Sequence, residues 1–208
     1  MPAESIIDEY RALVDSIYGI FLDARDGFWH VLEKAEKAKS ESKQRVEELI
    51  EEKPEYAGMK YGGLEHSYGR VVRAGVRTYS HLHQVPIEEL IRRNSEGGSN
   101  FQFIGNTCLA VVYQYWEDHY RAAIASELKV EPAQIEVPVF GELRWLRQAI
   151  IHNRAIATSD VAKCERFKWF RRGDPIIFSR EKFELVIDGI LEALDGIKAN
   201  PNSYIKSA

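Results

Sequence analysis

Arg147 and His152 are the two residues of this 208-residue chain whose types and spacing best suit chemistry on a phosphate ester. Arginine offers a fixed positive charge on a planar fork that matches phosphate oxygens, and histidine exchanges protons near neutral pH. Five residues along a helix correspond to about 7.5 Å of rise and about 140° of rotation, a gap that an arginine side chain spans. The spacing therefore predicts that both side chains meet at one place.

Spacing alone does not single out this pair. An arginine followed five to seven positions later by a histidine also occurs at Arg25 with His30 and at Arg77 with His83. The Arg25 pair encloses a glycine where the helical pattern lapses, and the Arg77 pair lies where helix and strand are equally compatible with the sequence. The pair at 147 and 152 lies within a strong helical pattern with apolar flanks, and we select it for that reason.

The elements that position the pair are mainly helical. Apolar residues recur every three or four positions, which is helical spacing, over most of the chain. Two β-like runs at 165–170 and 174–179 are joined by Arg-Gly-Asp, which predicts a hairpin. The predicted fold class is mainly α, a helical bundle with a small β-hairpin before the C-terminal helix. The predicted helices cover 5–52, 86–93, 106–128, 139–158 and the stretch from Ser179 to Pro201.

Composition limits the class of protein. Residues 1–208 are expected to form a single mainly helical domain, in which 1–60 is a long N-terminal helix with a charged arm. The formal net charge is −4, no apolar run is long enough to cross a membrane, and the N-terminus is unlike a signal peptide. Two cysteines are too few for a disulfide framework. We expect a cytoplasmic protein without membrane association.

No cofactor or metal is expected from the sequence. No glycine-rich phosphate loop occurs. His81 and His83 are two positions apart, which on a helix turns them about 200° from each other, and no carboxylate motif joins them.

Positive charge is concentrated around the selected pair. Residues 142–182 contain ten basic and five acidic side chains, although the whole chain is acidic. A cluster of basic side chains of this kind favours a polyanionic partner such as RNA.

The residues around the pair resemble a known family. The segment YQYWEDHYR at 113–121, followed by GELRWLRQAIIHN at 141–153, resembles the HEPN superfamily, the higher-eukaryote and prokaryote nucleotide-binding domain. The resemblance covers a HEPN-like core at 100–199, about half of the chain. It implies a homodimer in which two copies of the motif form one site for metal-independent RNA cleavage. It also implies a role as a toxin or phage-defence effector, with an antitoxin protein as a further partner.

The resemblance implies that Arg147 and His152 are the catalytic pair. Histidine would exchange protons with the 2′-hydroxyl and the leaving 5′-oxygen, and arginine would stabilise the charge of the transition state. Family members often have Asn, Asp or His directly after the arginine, where this chain has Gln148. The supporting residues are Asn153, Gln148 and Glu117, of which Glu117 is expected to orient the pair from the neighbouring helix. The residues expected to bind RNA are Arg144, Arg154, Lys168, Arg171 and Arg172.

Two other interpretations remain open at this level. A catalytically silent HEPN module would bind nucleotide, RNA or a protein partner, and Gln148 favours that alternative. A purely structural helical dimer is favoured by the long charged arm. In a structural protein, His152 would be a satisfied helix-contact residue and Arg147 an ion-pair partner of Glu117 or Glu142.

Overall fold

The computed structural model describes residues 2–58, 63–71 and 79–206, with backbone alone at 69–71 and 79–82. Helices form most of this part of the chain, and a single π-helical turn, Trp116–Tyr120, connects two of them. The helices and strands are α1 Ala3–Glu52, β1 Glu65–Val71, β2 Tyr79–Pro86, α2 Ile87–Asn94, α3 Ser99–Tyr115, α4 Arg121–Leu128, α5 Pro138–His152 and α6 Arg180–Ala199.

The predicted fold class is confirmed, because the described chain is mainly helical and contains a small antiparallel sheet before the C-terminal helix. The sheet consists of β1 and β2, with Glu65 opposite Pro86 and Tyr68 opposite His83. These strands occupy the stretch in which the sequence left helix and strand equally compatible. Arg77 lies outside the described residues.

The hairpin predicted at 165–170 and 174–179 is wrong in position. These residues form turns and irregular chain, and the bridge between Ile156 and Pro175 is isolated. The physical reason is that the second run pairs with the segment that follows α5 instead of with the first run. Ile176 N–H donates to the Ala155 carbonyl, and Ala157 N–H donates to the Asp174 carbonyl. The apolar side chains that suggested strands are buried in a helical core: Phe167, Phe170, Ile176 and Phe178.

The described chain divides into two compact units. One contains α1 up to Ala24 together with the chain from Phe101 onward, and the other is Arg25–Asn100. Helix α1 is continuous through both, 50 residues long, although its apolar pattern lapses near residue 25. The single mainly helical domain over 1–208 stays a prediction.

The first unit has a large aromatic core. Tyr10 of α1 is fully buried, and its hydroxyl donates to the Val112 carbonyl of α3 at 3.0 Å. Trp116 and Phe140 stack with their ring centroids 3.8 Å apart and their planes nearly parallel. Because Phe140 belongs to α5, this stack fixes α5 against the end of α3. The relative positions of the polar faces of α3 and α5 are therefore fixed as well.

The second unit has a small core of its own. It consists of Ala35 from α1, Val85 from β2, and Ile87 and Leu90 from α2. The buried Arg25 donates to Glu96 at 3.1 Å within this unit. Most of α1 beyond residue 36 is exposed, as expected for a charged helical arm.

Helix α6 begins with a side-chain cap that makes a testable contribution to stability. Ser179 Oγ accepts a hydrogen bond from Lys182 N–H at 3.2 Å, which satisfies one of the free amides of the first turn. Ser179→Ala is expected to lower the free energy of unfolding by about 1 kcal/mol. Urea unfolding measures the loss, and Ser179→Asp, which preserves a cap acceptor, serves as the control. An unchanged midpoint for Ser179→Ala would show that the cap contributes nothing.

Candidate functional site

Helix α5 presents one buried face and one polar face. Pro138 occupies its first turn, where a missing backbone N–H costs nothing. Arg144 and Gln148 are exposed, and Arg147 is partly exposed. The buried positions recur at helical spacing and anchor the helix in the core: Val139, Phe140, Leu143, Leu146 and Ala149.

The end of α5 differs from the prediction. The helix was expected to continue to residue 158, but it ends at His152. Arg154 and Ala155 have φ values of 55° and 58°, in the left-handed region that is uncommon for residues other than glycine. Asn153 helps to hold this turn, because its Nδ2 donates to the Ile156 carbonyl at 2.7 Å. His152 is therefore the last helical residue, and its side chain is exposed.

Arg147 and His152 are brought into contact. Arg147 NH1 lies 3.3 Å from His152 Nε2, as the helical spacing predicted. Arginine has no acceptor, so this contact is a hydrogen bond in the tautomer whose Nε2 carries no proton. The neighbouring arginine therefore favours that tautomer.

Gln114 of α3 is a member of this site that the sequence did not identify. Its Oε1 accepts from Arg147 NH2 at 3.1 Å, and its Nε2 donates to Asp118. Arg147 is therefore held from two directions, by His152 on its own helix and by Gln114 on α3. The available signal was that Gln114 lies inside the segment 113–121 that resembles the HEPN family.

Glu117 has different partners from those expected. It accepts from Arg121 NH1 at 3.2 Å and from the Tyr113 hydroxyl at 3.2 Å. No hydrogen bond or ion pair of the described residues joins it to Arg147 or His152. Burial, followed by the nearby Glu117 carboxylate, raises the pKa of Tyr113 to about 12. Tyr113 therefore remains a protonated donor to Glu117 at neutral pH.

Glu142 is a structural residue at the opposite side of α5. It is buried and accepts three backbone hydrogen bonds, from the N–H groups of Glu165, Arg166 and Phe167, at 2.7 to 3.0 Å. Burial, with Glu142 as the next cause, raises the pKa of Cys164 to about 12. Glu142 is therefore occupied by backbone amides, and Cys164 is an inert thiol.

Two adjoining cavities lie beside α5 in the first unit. The smaller, of about 240 Å³, has Arg147 and Gln148 in its wall. The larger, of about 330 Å³, extends towards α4 and has Arg121 in its wall. Three residues belong to both walls, so the cavities are neighbours: Tyr113, Glu117 and Arg144.

Only some of the basic residues predicted to bind RNA lie close to the Arg147–His152 pair. Arg144 lies in the wall of both cavities, and Arg154 is exposed two positions after His152. Arg171 and Arg172 are exposed on a turn whose next residue, Gly173, donates its N–H to the Ala157 carbonyl. Their backbone therefore lies beside the chain that leaves α5. Lys168 is exposed, and no contact of the described residues connects it with the site.

The alternative pair on α1 is arranged differently. Arg25 is buried and paired with Glu96, whereas His30 is exposed. Among the described residues, no cluster of three His, Cys, Asp or Glu side chains has the arrangement of a metal site. The described helices also include none with the length and apolarity that a membrane crossing requires.

Comparison with known proteins does not assign the chain to a family. No family model, no curated protein and no solved structure matches it. The resemblance to the HEPN superfamily stays a prediction that depends on the motif residues, and so do the roles that it implies for Arg147 and His152.

Proposed function

We propose that this protein is a metal-independent endoribonuclease of the HEPN type, with Arg147 and His152 as its catalytic pair. The observation that supports the proposal is the 3.3 Å contact between the two side chains at an exposed helix end, beside a cavity. An arginine held next to a histidine provides charge for a phosphate and an acceptor for a proton at the same point.

The proposed reaction needs only proton transfers and phosphate charge stabilisation. His152 Nε2 removes the proton of a 2′-hydroxyl, the 2′-oxygen attacks the adjacent phosphorus, and the bond to the 5′-oxygen breaks. The departing oxygen is protonated by an imidazolium, which leaves a 2′,3′-cyclic phosphate and a 5′-hydroxyl end. Arg147 NH1 leaves His152 and donates to a phosphate oxygen instead. The hydrogen bond from Arg147 NH2 to Gln114 keeps the guanidinium in place during this change.

Two copies of the chain would divide the acid and base roles, since each contributes one histidine. Exposed apolar side chains on α3 support such a homodimer: Phe103 is 71% exposed, and Val111 and Tyr115 are also exposed. Val111 and Tyr115 line a cavity together with Gln114, the residue that holds Arg147. Ile151, 53% exposed, precedes His152. Exposed apolar groups of this kind commonly mark protein interfaces.

The biological setting belongs to the same proposal. A ribonuclease of this type would act on RNA in the cytoplasm as a toxin or phage-defence effector, restrained by an antitoxin protein. These roles follow from the family resemblance and are proposed together with it.

The proposal is tested by incubating the full chain with mixed-sequence RNA in EDTA. Cleavage is expected, with cyclic phosphate at the new 3′ ends, because the 2′-oxygen is the nucleophile. A chimeric oligonucleotide with 2′-deoxyribose at the cut positions is the matched control and should stay intact. RNA that remains whole over a wide range of protein concentrations would contradict the nuclease proposal.

A catalytically silent RNA-binding or nucleotide-binding module is the second candidate. Gln148 after the arginine favours it, as does the fact that two Arg147 nitrogens already donate to neighbouring side chains. RNA that binds without being cut in the same assay would support this candidate.

A further inference from the structure

The larger of the two cavities has the size and lining of a small-molecule site. Its volume of about 330 Å³ is at the lower end of the usual range for such sites. Its wall includes the stacked Trp116 and Phe140, together with Ile135 and Val137, all of which are largely buried. Apolar side chains therefore form part of the wall beside the polar groups.

The polar groups of this cavity combine acceptors with donors. The Glu117 carboxylate is held by Tyr113 and Arg121, so its position is fixed before any ligand arrives. Arg144 brings an exposed guanidinium to the same wall.

The position of the cavity relates it to the catalytic pair. Tyr113, Glu117 and Arg144 line both this cavity and the smaller one that contains Arg147. A nucleotide whose phosphate contacts Arg147 therefore has a neighbouring place for its base. This step depends on the proposed ribonuclease function, since that function brings the phosphate to Arg147.

We propose that this cavity is a nucleobase subsite selective for guanine. The Watson–Crick edge of guanine presents two neighbouring donors, N1–H and the 2-amino group, beside the O6 acceptor. A carboxylate in the position of Glu117 accepts from both donors, and the guanidinium of Arg144 donates to O6. Adenine and uracil lack this pair of adjacent donors and would leave the carboxylate unmatched, so they bind less tightly.

The test is calorimetric titration of the full chain with 5′-GMP, 5′-IMP, 5′-AMP and 5′-UMP. IMP lacks the 2-amino group and isolates its contribution. We expect GMP to bind at least about tenfold more tightly than AMP or UMP, with IMP intermediate. Glu117→Gln should remove the preference for GMP, because the amide NH2 group of glutamine is a donor and cannot accept a hydrogen bond from guanine. Glu4→Gln, an exposed glutamate on α1, is the matched control and should leave the preference unchanged.

Cleavage mapping on RNA separates this inference from the ribonuclease proposal. Cuts next to guanosine that lose their base preference in Glu117→Gln would support both. Selective GMP binding without RNA cleavage would support the subsite and contradict the nuclease. Cleavage without base preference, together with equal binding of the four nucleotides, would overturn the guanine subsite and leave the nuclease proposal standing.

Discussion

Replacing His152 by alanine is expected to lower the rate of RNA cleavage by about 10²- to 10⁴-fold, the usual contribution of a general acid or base. The protein should remain folded, because the His152 side chain is exposed and its described hydrogen bond is to Arg147. Single-turnover cleavage of a labelled RNA in EDTA measures the loss. Arg147→Ala should cause a loss of similar order, since it removes the charge that stabilises the transition state.

His30→Ala is the matched control for this experiment, because His30 is also an exposed histidine on a helix and belongs to the rival pair that we did not select. Its cleavage rate should equal that of the wild type. Cleavage that persists in both His152→Ala and Arg147→Ala would show that another pair acts. A rate that falls only because the variant is unfolded would be recognised from its circular dichroism.

Glu142→Ala is expected to lower the free energy of unfolding by about 3 to 5 kcal/mol, since three backbone amides lose a charged acceptor. Urea unfolding measures this loss. The segment that contains these amides also holds the buried Cys164, so its thiol should become reactive towards a maleimide in the variant.

Two further variants serve as controls for the effect of Glu142 on stability. Glu142→Gln retains one carbonyl oxygen and should be destabilised by less. Glu165→Ala changes an exposed side chain next to the same segment and should alter stability by no more than about 0.5 kcal/mol. If Glu142→Ala unfolds at the wild-type urea concentration, the three hydrogen bonds do not stabilise the fold.

The buried face of α5 and the contact between Arg147 and His152 could be predicted from the sequence, because both follow from helical periodicity. The end of the helix could not. No glycine or proline follows His152 at once, and the turn is made by Arg154 and Ala155 in left-handed conformations. That geometry is supported by the hydrogen bond that Ile176 N–H donates to the Ala155 carbonyl, which is tertiary information.

Partners of the polar residues were the least predictable part of the site. Glu117 and Gln114 lie on the same short segment, yet Gln114 contacts Arg147 and Glu117 contacts Arg121. Which of them faces α5 depends on how the helix winds around 116–120. A sequence interpretation that assumes a regular α-helix does not predict the π-helical turn at these residues.

The false hairpin has a related cause. Two short apolar runs that end at turn residues have the same sequence pattern in two cases. They can pair as strands of a hairpin, or each can bury its side chains in the core without pairing. Phe167 and Phe178 are both fully buried, so burial alone explains the pattern. The actual strands, β1 and β2, are rich in polar residues and gave no clear alternation.

The π-helical turn constrains how the length of this segment can change in evolution. Trp116, Tyr120 and Ile124 are all buried and lie four positions apart, a step that in an α-helix drifts by about 40° each time. The π-helical turn has more residues per turn than an α-helix and so compensates for that drift, which is the effect of inserting one residue into an α-helix. Deleting one residue between Trp116 and Tyr120 would turn the two halves of the helix by about 100° against each other. Either the core or the wall containing Tyr113 and Glu117 would then be lost, so homologous chains should preserve the number of residues here.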